Sequence, residues 1–184
     1  METLAHTTAI ILAGGKSSRM GQDKGLMLLD GKPMIQYIID TVQPIANNII
    51  IIANNKAYEK FGFPVYGDLV KDKGPVGGIV TGLSASTTDL NWVISCDTPF
   101  VSQELLEMLM LNMDQFDAVI PTYENRTHPL IACYNKSALP VFKKALHLNE
   151  LKIMTLISKL HAKIMNANQF DVLNFKNLNS KEDI

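Results

Sequence analysis

Leu12-Ala13-Gly14-Gly15-Lys16-Ser17-Ser18-Arg19-Met20-Gly21 closes an apolar run, Thr8 to Leu12, with a turn of small and basic residues. A short apolar run that ends on glycines predicts a buried strand leaving its sheet through a loop. In open α/β sheets, ligands bind beyond the carboxyl ends of the strands. Glycines without a Cβ let backbone N–H groups come close to an anion or a base, so Gly14 and Gly15 are expected to face one. Lys16, Arg19 and Lys24 add positive charge around the same turn. Cations in such a place suit a triphosphate, whose transferring phosphorus gains negative charge during reaction. Read alone, the loop is equally a basic surface turn that water solvates. The spacing matches neither G-x-x-x-x-G-K-[ST] nor G-x-G-x-x-G, which excludes a P-loop and a dinucleotide fingerprint.

Outward from this loop, short apolar runs alternate with amphipathic stretches. That order predicts an α/β domain with a largely parallel sheet. Pro33 suits the first turn of a helix to Val42, with Met34, Ile35, Ile38, Ile39 and Val42 on one face. Asn48 to Ala53 reads as a second strand, and its isoleucines Ile49 to Ile52 imply burial on both faces. A short helix from Lys56 and a short strand at Pro64 to Tyr66 follow. Gly74-Pro75-Val76-Gly77-Gly78 opens a helix through Ser84, and the strand Asn91 to Ser95 runs into Cys96-Asp97-Thr98-Pro99. Ser102 is the expected N-cap of a helix over Gln103 to Leu111. Beyond it the pattern gives strands at Ala118 to Pro121 and Leu130 to Tyr134, then helices at Ser137 to Leu146 and Lys152 to Leu160. Strands at Ala162 to Met165 and Val172 to Phe175 and a helical turn from Ser180 close the chain.

The chain has 184 residues, 47% of them hydrophobic and 19% charged, which suits one domain, 1–184, with a sizeable core. A net charge of −1 argues against a nucleic-acid coat or a polybasic membrane surface. Met1 to His6 is short and polar, and the apolar run behind it is too short for a signal h-region or a membrane span. A cytoplasmic protein is expected. Cys96 and Cys133 lie far apart in apolar runs and read as buried free thiols, with no metal-ligand spacing.

Several residues outside the loop have chemistry to offer. Asp97 follows an apolar strand, where a carboxylate is placed either to hold Mg²⁺ or simply to start a turn. Asp68, in Tyr66-Gly67-Asp68, reads by itself as a turn residue. Asn179 is either a ligand in the outer shell of a metal or the residue before a helix cap at Ser180. His128 precedes Pro129 in a loop and on its own reads as structural or solvated.

The loop itself, followed by Asp23-Lys24-Gly25, resembles the signature of the molybdenum cofactor guanylyltransferase family, within the wider NTP-transferase superfamily. The resemblance continues in order through Gly31-Lys32-Pro33-Met34, Gly74 to Gly78, Cys96-Asp97-Thr98-Pro99, His128-Pro129 and Asn177-Leu178-Asn179. It implies a single-domain, Rossmann-like fold of the nucleotide-diphospho-sugar-transferase (GT-A-like) type, mostly parallel, with helices on both faces. The activity implied is transfer of GMP from GTP to the terminal phosphate of molybdopterin or its molybdenum form, with release of pyrophosphate and with Mg²⁺ as cofactor.

In that family pattern Arg19, Lys24 and Asp97 are catalytic, and Asp97 holds the metal with Asn179 behind it. Leu12, Ala13, Gly14, Gly15, Lys24, Asp68, Gly78 and Asp97 bind nucleotide, and His128 lies near the acceptor. The family often carries an Asn at the end of the second strand, where this chain has Ile52; Asn54 and Asn55 are therefore left out. Partners implied are GTP, the molybdopterin acceptor and proteins of cofactor synthesis or molybdoenzyme maturation, with neither nucleic acid nor membrane. Two rivals stay open: a transferase using CTP on the same cofactor or an NTP on a sugar or polyol phosphate, and a non-catalytic nucleotide-binding assembly protein.

Overall fold

A computed structural model describes residues 6–14 and 23–179. Gly15, Lys16 and Arg19, and the helical turn expected from Ser180, lie outside the described residues.

The strand ahead of the opening loop is β1, Thr7–Leu12, and all of it is buried. It sits at the centre of the main sheet between β4 (Asn48–Ile52) and β6 (Leu90–Ser95), parallel to both. Leu12 is level with Ile52 on one side and Ser95 on the other, so three strands end together. β5 (Val65–Tyr66) extends the sheet beyond β4. On the other side, β9 (Ile131–Asn135) runs antiparallel to β6 and to β7 (Ala118–Tyr123), and β10 (Ala162–Asn166) closes that edge parallel to β7. The order is β10-β7-β9-β6-β1-β4-β5, with the short β8 (Arg126–Thr127) paired to β7. From β1 the chain moves outward to β4 and β5, then returns across β1 to β6. That reversal opens a crevice at the carboxyl end of β1.

Alternation along the strands feeds two cores. Ala9, Ile11, Ile49, Ile51, Trp92 and Ile94 face α1 (Met34–Val42) and α3 (Gln103–Leu111). Ile10, Leu12, Ile50, Ile52 and Val93 face α2 (Gly74–Ala85), α4 (Leu139–His147) and α5 (Ile153–Ile157). The isoleucines of β4 are therefore buried on both faces, each worth about 1.5–3 kcal/mol of apolar burial. Ser102 caps α3 as expected, accepting from the Leu105 N–H at 3.3 Å.

Besides the short β8, three features differ from the sequence reading. Val172–Phe175 is a 3-10 helix and not a strand, because the Asp171 side chain accepts from the Leu173 N–H and turns the backbone. Helix α5 covers only Ile153–Ile157; beyond it Lys159 and Leu160 bond three residues back, which tightens the chain into turns. A small hairpin, β2 (Leu28–Leu29) with β3 (Lys32–Pro33), precedes α1. Its turn residues Asp30 and Gly31 both have positive φ, 50° and 80°. Two such residues between short strands make a turn that matches the right-handed twist of the strands in a two-residue hairpin.

Candidate active site

The ends of β1, β4 and β6 and the N-terminus of α2 surround a cleft of about 830 Å³. Leu12, Ala13, Gly14, Lys24, Asp68, Gly78 and Asp97 all line it. Seven residues expected from the sequence thus meet at one place, although they come from segments far apart in the chain.

The floor is β1 and its exit. Ala13 and Gly14 both donate their N–H groups to the Ile52 carbonyl, at 2.9 and 3.0 Å. This corrects one expectation: the Gly14 amide is held by β4 and is not aimed at a ligand. A Cβ on Gly14 would make only ordinary contacts, with the Ile52 carbonyl at 3.6 Å and the Asp68 carboxylate at 3.9 Å. Gly78 is the tighter position: on α2, a Cβ there would lie 3.1 Å from Leu12 Cδ2.

Asp97 is fixed through its backbone. The Cys96 N–H continues the ladder to the Leu12 carbonyl at 3.0 Å, and the Asp97 carbonyl accepts from the Leu178 N–H at 2.8 Å. Thr98, buried behind it, turns its hydroxyl to the Ser95 carbonyl at 2.9 Å. The carboxylate is thereby left to face the cleft. The same C-terminal segment brings Asn179, whose Oδ1 accepts from Lys24 Nζ at 2.7 Å. Asn179 therefore stands beside Lys24.

Opposite this corner, Asp68 and Asn54 bond reciprocally. The Asn54 amide donates to Asp68 Oδ2 and Asn54 Oδ1 accepts the Asp68 N–H, both at 3.0 Å. Asn54 lines the cleft although sequence reasoning set it aside. The family-pattern position falls on Ile52, whose side chain is in the core; only the pairing with Asp68 reveals Asn54. The loop beyond Asp68 is docked on α2 by Thr81, which accepts the Leu69 N–H at 3.0 Å. At the rim, Lys71 and Lys73 add positive charge, and Lys73 Nζ reaches Asn149 Oδ1 at 2.8 Å. Sequence reading passed over both lysines, since charged loop residues carry no periodic signal.

Two groups stand apart from the cleft's chemistry. Cys96 lines it, but burial and then the neighbouring charges of Asp97 and Asp23 push its thiol far above the ordinary range, so it remains a protonated thiol. His128 is buried against the Phe175 ring, with centroids 4.8 Å apart. Leu130, and not His128, lines the cleft.

Residues 9–164 match the family model of the MobA-like NTP transferase domain. A Flavobacterium johnsoniae protein named "Probable molybdenum cofactor guanylyltransferase" is 42% identical over 100% of this chain and 96% of its own length. A Vibrio vulnificus molybdenum cofactor guanylyltransferase is 35% identical, over 97% of this chain and 93% of that one. Among solved structures, the molybdopterin-guanine dinucleotide biosynthesis protein A of Archaeoglobus fulgidus superposes with a TM-score of 0.81. It is 26% identical, over 96% of this chain and 94% of that chain.

Proposed function

The chain belongs to the MobA-like NTP transferase family, and from that premise we propose that it is a molybdenum cofactor guanylyltransferase. Its substrates are GTP and a molybdopterin acceptor, and its product is the guanine dinucleotide form of the cofactor. The observation that carries the reading is the convergence of Lys24, Asp68 and Asp97 on one cleft at the carboxyl end of β1.

In this reaction an oxygen of the acceptor's terminal phosphate attacks the α-phosphorus of GTP. A new P–O bond forms, the α–β bridge breaks, and pyrophosphate leaves. The attacking phosphate is anionic at neutral pH, so the site needs no strong general base. That agrees with a cleft whose one thiol stays protonated. The protein's work is positioning and charge stabilisation. Lys24 supplies a cation to the phosphates, while the Asn54–Asp68 pair and Gly78 shape the wall against the nucleoside. Arg19 adds a second cation on the strength of the sequence resemblance alone.

The donor set suits Mg²⁺. Among the described residues no group of three His, Cys, Asp or Glu side chains encloses a metal. Asp97 offers its carboxylate from the end of β6, while Asp68 and Asp72 line the cleft from the loop beyond β5. Mg²⁺ takes one or two protein carboxylates and completes its shell from water and substrate phosphates. Bound there, it supplies Lewis-acid stabilisation of the phosphates. Asn179, tied to Lys24, fits an outer-shell role. No helix among the described residues is long and apolar enough to cross a membrane.

Pyrophosphate release measured with each NTP, with and without molybdopterin, tests the substrate pair. Turnover is expected only with GTP and acceptor together; preference for CTP would overturn the guanylyl reading. Asp97→Asn should lower Mg²⁺-dependent release by about 10²–10³-fold with the fold intact. Unchanged release would remove Asp97 from the metal site.

A further inference from the structure

Tyr58 lies in the 3-10 helix Lys56–Phe61, outside the cleft, and is fully buried. Its ring packs in the core beside Phe61, which any aromatic residue would satisfy. Its hydroxyl is another matter, because a buried hydroxyl is costly unless it is hydrogen-bonded. That oxygen donates to the Asp23 carboxylate and lies 3.3 Å from the Ala13 carbonyl. Residue 25 is a glycine that accommodates it: a Cβ on Gly25 would stand 2.5 Å from the hydroxyl. Asn55, at the cap of the same helix, reaches the other Asp23 oxygen at 3.5 Å. One hydroxyl thus touches the residue before Lys24, the residue after it, and the exit of β1.

We propose that Tyr58 is the positioning residue for Lys24. It grips the chain on both sides of the lysine, through the Asp23 carboxylate and the close approach to Gly25, beside the cleft floor at Ala13, so that the ammonium is held at a fixed place over the transferring phosphates. The proposal rests on the nucleotidyl-transfer reading. It assigns a function to Asp23 and Gly25 as well: the carboxylate is the handle, and the missing side chain is the clearance.

The test is a double-mutant cycle with Tyr58→Phe and Lys24→Ala, read as kcat per nucleotide-binding site, KM for GTP, and Tm. Tyr58→Phe keeps the ring and should lower kcat by about ten- to a hundredfold, as small misplacements of a catalytic group do, with KM moving far less. In the Lys24→Ala background the same change should lower kcat no further. Gly25→Ala, which displaces the hydroxyl from the other side, should reproduce the loss and serves if Tyr58→Phe fails to fold. Equal losses in both backgrounds, or a kcat within twofold of wild type, overturn the proposal. If the wild-type protein does not turn over GTP with molybdopterin, the substrate assignment falls separately. The cycle is then read as kcat with the NTP and acceptor that the protein does turn over: non-additive losses support the grip, and additive losses overturn it.

Discussion

His128 shows how burial redirects a residue. Its ring lies against Phe175, and burial, followed by the nearby Arg126 charge, holds its pKa below the usual 6.5. The folded state therefore favours the neutral ring. Below pH 6.5 the unfolded chain takes up a proton that the folded chain resists, so this residue's contribution to stability is present above that pH and is lost as pH falls toward the folded value. The Tm of wild type should thus fall more steeply from pH 6.5 downward than that of His128→Gln; parallel curves would mean that the ring titrates freely. The H-P dipeptide was legible, but not the side on which the ring would pack, since that depends on Phe175 arriving from the far end of the chain. Asp97 is the opposite case. Its position after a buried strand allowed two readings, and the structure puts Asp97 on the lining of the cleft.

At the scale of the element, α2 carries much of the site's precision. It opens on Gly74 with Pro75 and is buried along Val76 to Leu83, so its glycines set how near it lies to β1. A Cβ on Gly82 would come within 2.3 Å of Ile10 Cγ2, a β-branched methyl with no freedom to retreat. Gly82→Ala is therefore expected to cost about 1–3 kcal/mol by overpacking, measured by denaturant unfolding. A neutral result would show that α2 can slide. The helices and long strands were readable because apolar periodicity records a buried face. The β2–β3 hairpin had a signal too, Asp30-Gly31 between Leu28-Leu29 and Lys32-Pro33, but strands of two residues are too brief for periodicity. Val172–Phe175 misled for a related reason. Its apolar residues look like a strand, and the decision was made by the Asp171 cap and by Asn174, which accepts the Ser102 N–H at 2.7 Å.

For the whole molecule, the cleft joins what the chain order separates. β1, β4 and β6 form its floor, α2 forms a wall, and residues 178 and 179 return to hold Asp97 and Lys24. A ligand bound there would bridge these segments and has no equivalent site in the unfolded chain. Mass action then turns affinity into stability. Ligand at a hundredfold its Kd adds about 2.7 kcal/mol, and in a domain of this size each kcal/mol moves Tm by about 2–4 °C. GTP with Mg²⁺ should accordingly raise Tm by several degrees, more than GTP alone and more than CTP with Mg²⁺. In Asp97→Asn the increment due to Mg²⁺ should vanish while that of GTP alone persists, because the floor and the α2 wall are untouched. A metal increment that survives this substitution would place the ion elsewhere, and equal shifts for GTP and CTP would leave the cleft without the base preference that guanylyl transfer requires.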